Sequence, residues 1–99
     1  MTGPFPFKPD WVIAPGVILA GWMEENHMGV PVLAVACAGR HKRNPAIRII
    51  EAVLDRKPFT ELTARLLETG TGVPAKFWLA LEHDYRAGLA AGLTDASGT

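Results

Sequence analysis

Cysteine occurs once in these 99 residues, at Cys37, so no disulfide can form within the chain. A solitary thiol among alanines and valines reads as a small buried hydrophobe and fits a reducing compartment. Long hydrophobic runs are also missing. The longest nearly apolar stretch, residues 29–39, contains Pro31 and is about half of what a membrane span needs. The first residues hold Pro4 and Pro6 and no basic-then-apolar pattern, so a cytoplasmic protein without a secretory leader is the expectation. Net charge is zero, with ten Lys and Arg against ten Asp and Glu. That excludes a uniformly basic nucleic-acid coat protein. His27, His41 and His83 lie far apart and lack metal-ligand spacing. His83 and Asp84 are neighbours, which puts them on different sides of a helix. There is no glycine-rich loop between a strand and a helix, and Cys37 has no activating base close by in the sequence. Neither an enzyme nor a cofactor is expected.

What the chain does contain is enough apolar residue, 48%, for one modest core. A chain of this length buries roughly two-thirds of its unfolded surface. Eight prolines and ten glycines divide it into short elements. Charge is unevenly placed. Residues 1–39 carry a balance of −2 and residues 58–99 another −2. Residues 40–57 hold Arg40, Lys42, Arg43, Arg48, Arg56 and Lys57 against Glu51 and Asp55, a balance of +4. A basic stretch inside a neutral protein is what a docking face for an anion requires, though a solvated charge run beside a turn has the same signature.

Helical periodicity and punctuation predict an all-α domain of about five short helices around one core, spanning residues 14–93. Residues 1–13 read as an extended arm, because Pro4, Pro6 and Pro9 push their predecessors away from helix. The arm's Phe5, Phe7 and Trp11 are expected to lie on the body, and residues 11–13 can form a short strand. Residues 94–99 are small and polar and read as a disordered tail. The first helix is predicted over residues 15–27, with Ile18, Leu19, Trp22 and Met23 on one face and Gly29 helping to stop it. The second covers residues 31–38, with Leu33, Ala36 and Cys37 inward. The third opens with Asn44 as N-cap and Pro45 as first residue, and Ile47, Ile50, Val53 and Leu54 form its apolar stripe. Thr60 caps the fourth, with Leu62, Leu66 and Leu67 inward. The fifth runs from Pro74 to about residue 93, with Phe77, Leu81, Tyr85 and Leu89 recurring every four residues. Glu61 with Arg65 and Glu82 with Arg86 have the favourable i,i+4 order.

An apolar helix, Gly39, a cluster of cations and a second helix over residues 29–57 together predict a helix-turn-helix unit that binds DNA. Arg40, Lys42 and Arg43 can neutralise phosphates, and His41 can join them. Such contacts position a protein on the duplex without reading sequence. Asn44 is either a cap or a base contact. The start of the third helix offers free amides to a phosphate. Arg48 is the best candidate for a guanine contact, or else pairs with Glu51 or Asp55. Ile49, if exposed, meets a thymine methyl or a protein partner. Arg56 and Lys57 suit either the helix dipole or the DNA backbone. The aromatic stripe of Phe77, Trp78, Leu81 and Tyr85 reads as core or dimer interface, with Trp78 and Tyr85 at its edge.

Three further segments carry a resemblance. The first is Asp10-Trp11-Val12-Ile13-Ala14-Pro15-Gly16, followed by Ile18-Leu19 and Met23-Glu24-Glu25-Asn26. The second is Lys57-Pro58-Phe59-Thr60, with Thr63-Ala64 and Leu66. The third is Gly72-Val73-Pro74-Ala75-Lys76-Phe77-Trp78-Leu79, then Leu81-Glu82 and Tyr85-Arg86. Together they cover about residues 10–90, and their order resembles the HigA-like antitoxins of the λ-repressor/Cro-like (XRE-type) helix-turn-helix superfamily. The resemblance implies a λ-repressor-like fold that binds double-stranded DNA. The sequence departs from it in the helix-turn-helix core. Val30-Pro31 stands where the family has a polar residue that meets phosphate. The turn, residues 39–44, is longer, and Asn44-Pro45-Ala46-Ile47-Arg48 opens the third helix less polar and less basic than usual. The leading expectation is therefore a small homodimeric transcriptional regulator, with backbone-anchored binding and modest base reading. The competing one is an antitoxin or modulator on the same scaffold, with weak or no sequence-specific DNA binding and a protein partner such as a toxin. It is favoured by the apolar cluster Ile47, Ile49 and Ile50.

Overall fold

Proline, glycine and four left-handed turns set the borders of the helices. The structure, a computed structural model, describes residues 11–95. The arm's Phe5 and Phe7 and the tail residues 96–99 lie outside the described residues. Five α-helices follow one another: α1 Pro15–Glu25, α2 Val30–Ala38, α3 Arg43–Leu54, α4 Glu61–Thr71 and α5 Ala75–Ala90. A 3-10 turn, Arg40–Lys42, joins α2 to α3. Two-residue strands β1 (Trp11–Val12) and β2 (Thr94–Asp95) pair in parallel, with Trp11 opposite Thr94 and Val12 opposite Asp95. The all-α expectation holds, with this small bridge added.

Helix ends explain most of the shifted boundaries. Pro15 and Pro31 occupy the first turns of α1 and α2, where a missing N–H is harmless. Thr60 stands at the N-cap of α4, but its hydroxyl makes no capping bond. At the end of α1, Met28 donates its N–H to Met23 and His27 to Glu24. His27 has φ 54°. That is a Schellman motif with histidine in the left-handed position. It stops the helix at Glu25, two residues before the expected end, and leaves Gly29 as N-cap of α2. The end of α3 repeats the pattern with Arg56 at φ 65°, donating to Val53 while Lys57 donates to Ala52. Gly92 does the same for α5, which ends at Ala90.

One core joins all five helices. Leu19 and Met23 of α1 meet Leu33, Ala34 and Cys37 of α2, Ala46, Ile50 and Val53 of α3, Ala64 and Leu67 of α4, and Trp78 of α5. Small residues let the helices approach closely. A Cβ added to Gly16 would lie 2.4 Å from the Val53 carbonyl oxygen, and one added to Gly70 would lie 2.3 Å from the Cys37 sulfur.

Several inward assignments change. In α2 the buried alanine is Ala34, and Ala36 is exposed. In α4, Leu62 is 79% exposed, because Ala64 and Leu67 face the core in its place. In α5 the buried positions are Trp78, Glu82, Tyr85 and Gly88; Tyr85 and Leu81, which packs against the core, keep to the expected stripe, but Trp78 replaces Phe77, which is 44% exposed. Trp78 is therefore core rather than an interface edge. A charged residue takes one of these buried positions. One oxygen of Glu82, Oε2, is satisfied there by Arg86 Nε at 2.9 Å and the Phe59 N–H at 3.4 Å, while Oε1 is buried without a partner among the described residues.

The chain end is a further correction. Thr94 and Asp95, expected in a disordered tail, are held in the bridge to β1. Asp95 pairs with Arg56 Nε at 2.9 Å and accepts the Tyr85 hydroxyl. The start and the end of the described chain are thus tied together beside the C-terminus of α3.

Candidate nucleic-acid interface

The backbone from α2 to α3 turns at Gly39, whose φ of 83° is open to glycine and strained for other residues. The next three residues, Arg40, His41 and Lys42, form the 3-10 turn, and Arg43 opens α3. All four side chains are exposed. They have no need of internal partners and are available to an anion.

Asn44 does not cap α3. The helix begins two residues earlier, with Lys42 in the N-cap position and no side-chain capping bond. Asn44 lies in the first turn with its side chain exposed, free of the role that competed with a ligand contact. The same shift weakens the amide site expected at this helix start. The Arg43 N–H is spent on the Arg40 carbonyl, and Pro45 has no N–H at all. Anion binding here must rest mainly on side-chain cations.

Residues Asn44, Arg48, Glu51 and Asp55 are all exposed and recur at helical spacing, so they form one outward stripe on α3. Arg48 makes no salt bridge with either acid, which rules out the structural pairing considered from the sequence. Ile49 is half-buried and lies about 100° around the helix from Arg48. It does not share Arg48's stripe. The acids occupy the second half of that stripe, so only the first half of α3 favours an anion.

Arg56 and Lys57 are a separate feature. They follow the far end of α3, about 18 Å along the helix from the turn. Arg56 is half-buried and engaged with Asp95. Its carbonyl accepts a hydrogen bond from Arg86 Nη2. Arg56 is thus a clamp on the fold rather than a cation held out to solvent, while Lys57 remains exposed. Of the nine candidate positions, six cluster: Arg40, His41, Lys42, Arg43, Asn44 and Arg48.

A feature the sequence reading passed over lies beside them. Pro31, Val32 and Val35 of α2 line an open trough of about 600 Å³ whose other wall is Arg40 and Arg43. The available signal was that α2 has no polar side chain in nine residues. Such a helix is ordinarily buried all round, yet here Pro31, Val32 and Ala36 are exposed.

Among the described residues, no three His, Cys, Asp or Glu side chains gather as a metal site, and no helix is long and apolar enough to cross a membrane. Burial raises the Cys37 thiol above its ordinary ionisation range, only partly offset by a hydrogen bond from the Gly70 backbone. The thiol therefore stays protonated and a poor nucleophile. Compared with protein-family models, curated proteins and solved structures, the chain matches none of them.

Proposed function

We propose that this chain is a DNA-binding helix-turn-helix protein of the λ-repressor-like kind, acting as a homodimeric transcriptional regulator. α2, the 39–42 turn and α3 would be the binding unit. The observation that carries the reading is the set of exposed cations, Arg40, Lys42 and Arg43, with His41 among them, at the N-terminal end of an amphipathic helix whose next outward side chains are Asn44 and Arg48. A recognition helix presents its N-terminal residues to base edges, and here those residues are the favourable ones. Glu51 and Asp55 further along would repel phosphate, so α3 would enter the groove by its tip. The cations would anchor the backbone, and Arg48 would supply most of the base reading. A second copy would add a second half-site and multiply a limited single-module affinity. A cytoplasmic location goes with this reading.

Fluorescence titration of labelled duplex at about 50 mM salt tests it. Binding is expected, together with a loss of at least about tenfold, roughly 1.4 kcal/mol, when Arg40, Lys42 and Arg43 are all changed to Ala. All three are exposed, so circular dichroism should show an unchanged fold. A folded wild type that binds no duplex at that salt sinks the proposal.

A further inference from the structure

We infer that the trough between α2 and the basic turn is a docking site for an acidic amphipathic helix of a partner protein. The inference does not rest on the DNA reading. It starts from a surface that DNA alone leaves unexplained. Pro31, Val32 and Val35 form one wall of the trough, and Arg40 and Arg43 form the other. Val32 is 56% exposed on a helix without a single polar side chain. A phosphate backbone gains nothing from that apolar wall. Pro31 also removes one of the amides a helix start would offer an anion.

A helix with leucines on one face and glutamates along the adjoining edge matches both walls. Its apolar side chains would cover Pro31, Val32 and Val35, and its carboxylates would reach the two guanidinium groups. The volume, about 600 Å³, suits a few aliphatic side chains laid in an open channel. The surrounding charge agrees, because residues 40–57 carry a balance of +4 in a neutral protein. Among the described residues, no acid pairs with those two cations. The salt bridges of the described residues involve Arg56, Arg65 and Arg86, not Arg40 or Arg43. Arg40 and Arg43 are also central to the proposed DNA face. A bound acidic helix and a bound duplex would therefore exclude one another, which would let a partner release DNA.

The test uses the full chain and a synthetic, labelled, helix-forming peptide of about 15 residues, with Leu at i, i+3, i+4 and i+7 and Glu beside them. Fluorescence anisotropy should show saturable binding. Val32→Asp should weaken it at least about tenfold, and Arg40→Ala with Arg43→Ala by a similar factor. A peptide with the same Glu content but Ser for Leu should not bind. Val32 is exposed, so its variant should keep the fold, checked by circular dichroism. The titration contains no DNA, so its outcome is independent of the duplex result. No peptide binding by folded wild type, or equal binding of the Leu and Ser peptides, overturns the inference. So does a folded Val32→Asp variant that binds the Leu peptide as tightly as the wild type, since the apolar wall would then play no part.

Discussion

His27 and Arg56 show how single residues decide where helices end. Both hold left-handed backbone at the ends of α1 and α3, at φ 54° and 65°, a conformation that strains a side chain with a Cβ by about 1–2 kcal/mol. Glycine relieves that strain and adds about 0.5–1 kcal/mol of unfolded-state freedom. His27 is exposed, so His27→Gly should stabilise the fold by about 0.5–1 kcal/mol in urea unfolding, and a destabilised variant would show that the imidazole has a role of its own. Arg56 is different, because its side chain holds Asp95. Asp95 also accepts the hydroxyl of Tyr85. Burial first, and then the Asp95 hydrogen bond and charge, raise the Tyr85 ionisation above its ordinary 10.0, against the pull of Arg86 and Arg56. The folded state therefore keeps this proton more firmly than the unfolded chain does. Its contribution is complete below pH 10.0 and is lost as pH rises from there through the higher folded value. Tyr85→Phe should lower stability at neutral pH by about 1–2 kcal/mol, through one hydrogen bond to a charged acceptor, and should flatten the alkaline loss. The buried Cys37 thiol adds a loss that begins above 9.0 in both proteins. Urea unfolding across the alkaline range distinguishes the two, and parallel curves for wild type and Tyr85→Phe would mean that the phenol is not the group responsible.

At the scale of elements, α5 is what sets the far end of α3. Arg86 lies over the Tyr85 ring at 4.7 Å, pairs with Glu82 and donates to the Arg56 carbonyl, while Glu82 also receives the Phe59 N–H. The segment leaving α3 is therefore fastened to α5 at two backbone groups. Arg86→Ala strands the Glu82 carboxylate, only 7% exposed, and frees the Arg56 carbonyl. The expected loss is about 2–3 kcal/mol, less than for a fully buried pair because Arg86 itself is partly solvated. Equilibrium unfolding checks it, and a loss under about 0.5 kcal/mol would place the pair among ordinary surface salt bridges. This clamp also marks the limit of what the sequence discloses. The five helices were legible because proline starts and apolar spacing are local signals. Glu82 and Arg86 were legible as an i,i+4 pair, but not as a buried one, because burial depends on which face α4 and the 56–59 segment cover. The burial of Trp78 in place of Phe77 and the outward turn of Leu62 have the same origin. Asn44 was misplaced as a cap because the 3-10 turn carries the chain into α3 two residues early, and nothing in the residues 40–43 announces that turn. Arg56 read as a free cation because its partner lies thirty-nine positions away, at Asp95.

Across the whole molecule, charge is arranged as a basic middle between two acidic flanks, with no net excess. A neutral protein has little long-range pull on DNA, so affinity must come from the few cations that touch phosphate and must vary with salt accordingly. Each phosphate contact contributes about −0.9 to the slope of log K against log salt. Arg40, Lys42 and Arg43 together predict a slope of about −2.7 for a single bound protomer and about −5.4 for a dimer engaging both half-sites. For the dimer, affinity should fall about a thousandfold between 50 and 200 mM salt. The triple Ala variant should lose nearly the whole slope, because Arg56 is committed to Asp95 and Glu51 and Asp55 repel phosphate. Lys57 and Arg48 would supply the small remainder. Titrations at four or five salt concentrations give the slope directly, and sedimentation of the complex gives the number of protomers independently. A steep slope that survives the triple variant would move the DNA contact away from the turn, to a face other than the one argued for above. A slope near −2.7 with two protomers sedimenting on the duplex would mean that one of them is held by its partner and not by phosphate.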